Sequence, residues 1–464
     1  MILFVIILGF VLRTISLNQS FWIDEATSVL TARDMSYSSI ITKFAPTDFH
    51  PPLYYLLLKF WINLGGDGEV FVRLLSVFFG LLTICVVYLI GKNIQNKKTG
   101  LVSALLLATS GLHIYYSQEA RMYALSTFLV SLSILFFIKI IKSDKPGDWL
   151  IFSATLPTIF LTDYMPILIL PVFWIYIFIF KKESHWRKRF FYTHVPLFVS
   201  AIILLPILMS QINAGLGVKL NVPGWWNILG KTTIKELALV PTKFILGRIS
   251  FDNKILYGAV TLVLTVLSGT LIFSLKKSFV KEKYYLLTGL LIIPIILVAL
   301  IGLRVSVFQY FRLIFVLPVF YLLLATGVLA IKNYSKYLII FFLAVNFLSS
   351  GYYLLNPKFH REDWRSLVGF INLHSLNTEK TATLFVVDSQ MEAYKYYDAK
   401  LKGNIKAISP NNDLRKFQSI WLMRYVAEVF DPQDKTRSTL ERANFYKFGE
   451  YDFNGIVVWK YIRL

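Results

Sequence analysis

The sequence predicts a polytopic α-helical membrane protein with about eleven transmembrane helices and a small C-terminal α/β domain. Of the 464 residues, 56% are hydrophobic and only 16% are charged, which exceeds the apolar content of ordinary globular domains. Apolar runs of roughly 17 to 25 residues, the length that a helix needs to cross the hydrocarbon core, recur as far as residue 355. Beyond that point the composition is typical of soluble proteins. The sequence therefore divides into a membrane domain, residues 1–355, and a soluble tail, residues 356–464.

Eleven apolar segments are predicted to span the membrane. They are Ile2–Leu17, Val70–Gly91, Gly100–Tyr115, Tyr123–Ile141, Trp149–Leu161, Pro166–Phe180, His194–Met209, Ile255–Leu275, Tyr284–Leu303, Leu313–Ile331 and Tyr337–Leu355. Pro157, Asp163 and Pro166 interrupt the fifth and sixth of these, so a broken or re-entrant helix is an alternative there.

The formal net charge of +21 could indicate a nucleic-acid-binding protein, but its distribution argues otherwise. Much of the positive charge lies in five short loops, and all five fall on one side if the spans alternate. These loops cover residues 92–98, 139–148, 181–189, 276–283 and 332–336. Positive charge in cytoplasmic loops orients membrane proteins, so no nucleic-acid partner is expected. The amino terminus is then cytoplasmic and the tail extracytoplasmic, in a multi-pass protein of the plasma (inner) membrane.

The first outer loop, residues 18–69, is long and acidic. Apolar residues at helical spacing predict a helix along the membrane surface; they are Val29, Leu30, Tyr37, Ile40, Ile41 and Phe44. A second such helix is predicted after Pro51 and Pro52, because proline suits the first turn of a helix. This loop is therefore a place where chemistry outside the membrane could be located.

Asp24 and Glu25 follow the first predicted span at the outer boundary of the membrane. A carboxylate there can take a proton from an acceptor hydroxyl, so both residues are candidate catalytic groups. The alternative for Asp24 is a purely structural one, in which its side chain caps the following helix.

The hairpin between the third and fourth spans carries Gln118, Glu119 and Arg121 on the same outer side. Its shortness keeps these charges near the first outer loop, which favours contact with a substrate. The alternative is that Glu119 and Arg121 only pair with each other at the membrane boundary.

Tyr310 and Arg312 begin the tenth span, again on the outer side. Most basic loop residues of this sequence are predicted on the cytoplasmic side, so an arginine on the outer side is an exception to that distribution. A guanidinium can bind a phosphate through two parallel N–H bonds. The alternative is an anchor at the membrane interface. His50, beside Pro51, is a weaker candidate for the same site, because a lone loop histidine is usually solvated or structural.

Three segments together resemble the family of membrane glycosyltransferases related to protein O-mannosyltransferases and lipid A aminoarabinose transferases. They are Phe21–Ala26, His50–Tyr55 and Tyr116–Leu125, in the order and spacing of that family. The resemblance covers the chain to about Leu355 and implies a GT-C type fold. It also implies a polyprenyl-phosphate sugar donor and an inverting displacement at the anomeric carbon outside the membrane.

The resemblance further implies a role for each candidate residue. Asp24 would be the base, and Glu25 would assist it or position the acceptor. Glu119 and Arg121, with Gln118 and His50 nearby, would line the substrate site, and Arg312 with Tyr310 would stabilise the charge on the lipid phosphate.

The expected partners are the donor, membrane lipid and a glycan, lipid or protein acceptor. Members of the family differ over a divalent metal, and this sequence has no dedicated set of ligands, so no obligatory metal is expected. Asp163 departs from the pattern of this family, because many relatives have a histidine or another polar residue at that position.

A transporter or flippase of lipid-linked sugars is the main alternative function. Proteins of that class also contain ten to fourteen spans and charged cavities, but their key groups lie near the bilayer midplane. The candidate residues of this sequence are predicted at one outer boundary, which favours an enzyme.

Overall fold

The computed structural model describes residues 1–228, 230–375 and 377–463, and most of these residues are helical. The helices up to residue 355 are α1 Ile2–Thr14, α2 Ile23–Asp34, α3 Tyr37–Ser39, α4 Leu53–Gly65, α5 Glu69–Ile94, α6 Lys97–Thr109, α7 Gly111–Ser117, α8 Tyr123–Ser143, α9 Pro146–Thr162, α10 Leu170–Phe180, α11 Ser184–Tyr192, α12 Val195–Asn221, α13 Pro223–Ile228, α14 Ile234–Leu246, α15 Lys254–Ser278, α16 Lys281–Gly302, α17 Leu317–Ala330 and α18 Ser335–Leu355. A π-helical turn covers Ile40–Phe44, and 3₁₀ turns cover Met165–Ile169 and Tyr310–Val316.

The described part of the chain is a multi-pass membrane protein with fewer long spans than the sequence predicts. Seven helical segments are long and apolar enough to cross a membrane, or eight if α6 and α7, bent by 64° at Ser110, form one span. Helices occur in all eleven predicted positions. However, α1, α9 and α10 have 13, 17 and 11 residues, so the count of eleven full spans is not confirmed. Large apolar side chains such as Phe10, Ile203 and Leu348 point outward, as lipid-facing helices require.

Four of the five basic loops are joined in pairs at one end of the helix bundle. Arg189 pairs with Asp144 at 2.9 Å, which joins the loops at 139–148 and 181–189. Lys283 Nζ donates to the carbonyl oxygen of Ile94 at 2.5 Å, which joins the loops at 92–98 and 276–283. This basic end is opposite the end that carries the first outer loop, because α5 runs from residue 69 at one end to residue 94 at the other.

The first outer loop is helical in both predicted regions, but the first region is not one continuous helix as predicted. α2 ends at Asp34, Met35 and Ser36 are extended, and α3 with the π-helical turn at Ile40–Phe44 follows, because the Ser36 side chain caps a new helix start. α4 begins directly after Pro52, which lies at its N-cap. Tyr54, Tyr55 and Leu58 on α4 are buried, so this helix packs against the bundle through one face.

The tail forms a five-stranded mixed sheet with helices. Its helices are α19 Trp364–Leu373, α20 Glu392–Lys400, α21 Ala427–Phe430 and α22 Lys435–Arg442, and its strands are β1 Thr381–Leu384, β2 Lys406–Ile408, β3 Ser419–Met423, β4 Phe445–Asp452 and β5 Val457–Arg463. The strand order is β2-β1-β3-β5-β4. β1 is parallel to β2 and β3, whereas β5 is antiparallel to β3 and β4. The small α/β tail predicted by the sequence is therefore present.

The tail is bound to the first outer loop through helix α20. The Tyr397 hydroxyl donates to Glu69 Oε1 at 2.9 Å and accepts from the backbone N–H of Phe21 at 2.7 Å. Lys400 Nζ lies 2.6 Å from Asp67 Oδ1. These contacts fix one face of the tail on the end of the membrane domain that carries the first outer loop.

Helices α5 and α6 approach each other closely at two glycines, Gly91 and Gly100. A Cβ on Gly100 would lie 2.4 Å from the carbonyl oxygen of Tyr88. We expect Gly100→Ala to lower the stability of the protein by about 1 to 3 kcal/mol, because the helices would have to separate. Thermal unfolding of the detergent-solubilised protein measures this effect.

Gly258→Ala on α15 is the matched control, because a Cβ there meets no atom within 4 Å. That variant should be as stable as the native protein or slightly more so, since alanine favours helix over glycine. Equal stability of the two variants would show that the α5–α6 contact tolerates a side chain.

Candidate functional site

Arg121 lies at the centre of the candidate site and contacts both segments of the first outer loop. Its Nη1 is 3.3 Å from Ser28 Oγ and 3.3 Å from the Tyr55 hydroxyl. Its Nη2 is 3.4 Å from His50 Nδ1 and 3.8 Å from Asp24 Oδ2. The hairpin between α7 and α8 is thus brought together with both predicted loop motifs.

Asp24 is the most accessible acid of this group. Its side chain is 44% exposed, whereas that of Arg121 is 5% exposed. Trp22 is the N-cap residue of α2, and Asp24 lies within the first turn without forming a side-chain capping bond. Asp24 is therefore not the N-cap residue of α2, and its partly exposed carboxylate lies beside Arg121.

Asp48 belongs to the same group, although the sequence analysis did not single it out. The Tyr55 hydroxyl donates to Asp48 Oδ2 at 2.6 Å, and His50 Nδ1 lies 3.4 Å from the same oxygen. Burial alone would raise the pKa of Asp48, but the hydrogen bond and charge of His50 and the charge of Arg121 hold it below its usual value. The only signal in the sequence was its position two residues before His50.

Glu25 is placed differently from its neighbour Asp24, because its side chain is fully buried. Arg73 donates through Nε at 2.9 Å and Nη2 at 2.5 Å, and the N–H of Ala120 donates at 2.8 Å. Arg361 Nε lies 3.3 Å away. Burial would raise the pKa of Glu25, but the two arginines lower it, so the group is a buried carboxylate whose two oxygens are both occupied.

Glu119 is also buried and pairs with the tail. Arg361 Nη2 lies 3.2 Å from Glu119 Oε2, whereas Oε1 has no hydrogen-bond partner within the described residues. Burial raises the pKa of Glu119 to about 7, and the charge of Arg361 opposes this shift. Within the hairpin, Glu119 is therefore directed to the tail, whereas Arg121 is directed to the first outer loop.

Gln118 forms a structural link between α1 and α18. Its Nε2 donates to the carbonyl oxygens of Arg13 at 3.1 Å and Ile15 at 2.7 Å. Its Oε1 accepts from the Tyr353 hydroxyl at 2.9 Å. Groups of the protein thus occupy both ends of the Gln118 side chain, for which the sequence predicts a role in substrate binding.

The segment with Tyr310 and Arg312 packs against the hairpin, as the rings of Phe311 and Tyr123 lie 5.7 Å apart. The Tyr310 hydroxyl accepts a hydrogen bond from Arg248 Nη1 at 2.7 Å. Arg248 is exposed to solvent, and sequence reasoning missed it because it lies in an unremarkable polar loop. The segment at residues 310–312 therefore contacts both the hairpin and the loop that carries Arg248.

Arg312 lies within the electrostatic reach of the acids at the centre of the site. The charges of Asp24, Asp163 and Arg121 act on its guanidinium, which is half-buried. Asp163, at the break between α9 and α10, is buried and accepts the N–H of Met165 at 3.3 Å. Asp24, Asp163 and Arg312 thus lie at the same end of the bundle, close enough for their charges to interact.

No group of three or more histidine, cysteine, aspartate or glutamate side chains that could hold a metal ion occurs in residues 1–228, 230–375 and 377–463. The expectation that no metal is obligatory stays a prediction.

Comparison with known proteins identifies the fold. Residues 49–209 match the model of the dolichyl-phosphate-mannose-protein mannosyltransferase family, and this range includes two of the three motifs named above. No curated protein sequence matches the chain significantly. The crystal structure of ArnT from Cupriavidus metallidurans bound to undecaprenyl phosphate is similar over 99% of this chain and 97% of ArnT, with a TM-score of 0.59 and 12% identity. The chain has the GT-C glycosyltransferase fold.

A second solved structure supports the same assignment of fold. It is the oligosaccharyltransferase AglB from Archaeoglobus fulgidus in complex with an inhibitory peptide and a dolichol-phosphate. The similarity covers 99% of this chain and 74% of AglB, with a TM-score of 0.54 and 12% identity.

Glu119 should make the stability of the protein dependent on pH near neutrality. Its pKa is about 7 in the folded protein, above the ordinary value of 4.5 for a glutamate, so the folded state retains this proton more strongly than the unfolded state. Its contribution is therefore complete below about pH 4.5 and decreases as the pH rises through about 7. Melting temperatures of the native protein between pH 5 and 8 measure this decrease.

Glu119→Gln is the comparison, because glutamine does not titrate. The difference in melting temperature between this variant and the native protein should change as the pH rises through about 7 and stay constant at higher pH. A constant difference from pH 5 to 8 would contradict the raised pKa of Glu119.

Proposed function

We propose that this protein is a glycosyltransferase that moves a sugar from a polyprenyl-phosphate carrier to an acceptor hydroxyl or amine at the outer face of the membrane. One observation carries the proposal: an accessible carboxylate, Asp24, contacts Arg121 and lies within the electrostatic reach of Arg312. A base and a phosphate-binding cation at one site are what such a transfer requires. The GT-C fold and the match to residues 49–209 support it.

In the proposed reaction the acceptor oxygen or nitrogen attacks the anomeric carbon of the sugar. The bond from that carbon to the phosphate oxygen breaks, and the lipid phosphate leaves with the electron pair. Asp24 takes the proton of the acceptor, and the configuration at the anomeric carbon is inverted because attack and departure occur on opposite faces. Hexoses and pentoses both fit this chemistry.

Arg312 and Arg248 are proposed to bind the departing phosphate. A guanidinium can donate two parallel hydrogen bonds to phosphate oxygens, and negative charge accumulates there as the sugar leaves. Arg248 is exposed and its Nη1 is directed to the Tyr310 hydroxyl. Tyr310 therefore acts through Arg248 in this proposal.

The remaining candidates are proposed to shape the site. Arg121 orients Asp24, and His50 with Asp48 supports Arg121 from the other side. Glu25 is buried with both oxygens occupied, so we assign it to the framework of the site and not to proton transfer. Gln118 and Glu119 are assigned to the same framework, which revises the expectation that they contact substrate.

We propose that the site and the tail lie outside the cytoplasm, in the plasma (inner) membrane. The basic loops gather at the opposite end of the bundle, which the positive-inside rule places in the cytoplasm together with the amino terminus. The acceptor would then be a glycan, a lipid or a protein on the outer side. No observation on the described residues favours a flippase, because the charged groups gather at one end of the bundle.

Asp24→Asn should abolish sugar transfer, because asparagine keeps the shape of the side chain but cannot accept the proton. We expect a loss of about 10² to 10⁴ in kcat, the usual contribution of a general base. The measurement is transfer from synthetic undecaprenyl-phosphate sugars by protein reconstituted in liposomes.

Asp34→Asn, at the other end of α2, is the control and should retain full activity, since Asp34 is exposed and pairs with Arg33. Undiminished transfer by the Asp24 variant would exclude this residue as the base.

Arg312→Ala should reduce donor turnover roughly tenfold to a hundredfold, the effect of losing a hydrogen bond to a charged group. Donor turnover in the same liposomes measures this loss. Arg304→Ala provides the control, because Arg304 is exposed in the preceding loop. Equal donor turnover by the Arg312 and Arg304 variants would contradict the proposed role of Arg312 in binding the phosphate.

A further inference from the structure

Arg361 belongs to the tail, yet its side chain lies inside the outer end of the membrane domain. Only 5% of the residue is exposed. Its guanidinium lies over the ring of Tyr115 at 4.5 Å, and Nη2 donates to the Tyr115 carbonyl oxygen at 3.4 Å. The same guanidinium lies 3.2 Å from Glu119 Oε2 and 3.3 Å from Glu25 Oε2. One tail residue thus bridges two buried carboxylates of the membrane domain.

The backbone of Arg361 is held from both sides. Its N–H donates to Gln19 Oε1 of the first outer loop at 3.1 Å. Its carbonyl oxygen accepts from Asn454 Nδ2, beside the turn between β4 and β5, at 2.9 Å. The position of this side chain is therefore set jointly by the membrane domain and by the folded tail.

The two carboxylates depend on Arg361 to different degrees. Glu25 keeps the bidentate contact of Arg73 and the N–H of Ala120 if Arg361 is removed. Arg361 supplies the ion pair of Glu119. A buried carboxylate that loses its cation must take up a proton or move towards water.

Movement of Glu119 would disturb the reactive part of the site. Ala120, the next residue, donates its N–H to Glu25, and Arg121 follows with its contact to Asp24. The short backbone from Glu119 to Arg121 therefore transmits any shift to the base. Because Arg361 is buried beside the hairpin, it is placed to act on the chemistry through the hairpin backbone.

We propose that Arg361 is a positioning residue through which the tail completes the active site. This inference rests on the function proposed above. Arg361 aligns the hairpin by neutralising Glu119 and bridging it to Glu25, and Arg121 then holds Asp24 in its productive orientation.

The test uses the full-length protein in liposomes with a panel of synthetic undecaprenyl-phosphate sugars. For Arg361→Gln we expect kcat to fall roughly a hundredfold, the cost of a small misplacement of catalytic groups, with little change in the KM for the donor. The control is Arg365→Gln. Arg365 also joins the tail to the first outer loop, at 2.6 Å from Glu69, but it is 40% exposed and does not touch the buried carboxylates. It should keep the native kcat.

A double variant, Arg361→Gln with Glu119→Gln, separates positioning from simple anchoring of the tail. In Arg361→Gln the buried Glu119 carboxylate has lost its cation, and the second substitution removes that unpaired charge. The kcat of the double variant should therefore exceed that of Arg361→Gln. If Arg361 only anchors the tail, the second substitution restores nothing, and that result would overturn the proposal. Native kcat in Arg361→Gln would overturn it as well.

Thermal unfolding of each variant shows whether it is folded before kinetics are compared. If Arg361→Gln does not fold, Arg361→Lys replaces it, because a lysine keeps the charge but cannot bridge both carboxylates. A reduced kcat at native donor KM supports the proposal, and a native kcat contradicts it. If the native protein turns over none of the sugars, the proposed function itself fails, which is a distinct outcome.

Discussion

The buried contact between Glu25 and Arg73 is the interaction on which the rest of the site depends. It joins helix α2 of the first outer loop to the start of α5, and the N–H of Ala120 adds the hairpin to the same carboxylate. Arg361 then adds the tail. Removing one member of a buried ion pair leaves an uncompensated charge and costs about 3 to 5 kcal/mol, so such a cluster tolerates few changes. The exposed part of the site, around Asp24, is built on this closed framework.

Much of the site could be predicted from the sequence, because alternating spans place certain loops on the same side. The alternation of spans predicts Asp24, Arg121 and Arg312 at one end of the bundle, and the structure places them there. The same alternation does not predict that Asp24 is exposed and Glu25 buried. Successive residues on a helix point in directions about 100° apart, so one acid faces the open site and its neighbour faces the core.

The arginines that hold the framework were not predictable from sequence. Arg73 resembles an ordinary charge near the end of an apolar helix, and Arg361 lies in what looks like a linker between two domains. Their partners are distant in sequence, as 48 residues separate Arg73 from Glu25 and 242 separate Arg361 from Glu119. The pattern of residues in one sequence indicates local periodicity, but it does not show which distant residues form ion pairs.

The entry of Arg361 into the membrane domain has a consequence for biosynthesis. A ribosome adds residues from the amino terminus onward, so helices α1 to α18 are made before Arg361 emerges. Until the tail folds onto the membrane domain, Glu119 lacks its cation and the hairpin lacks one of its supports. A newly inserted chain would therefore contain these helices but an incomplete candidate site, and folding of the tail would complete it.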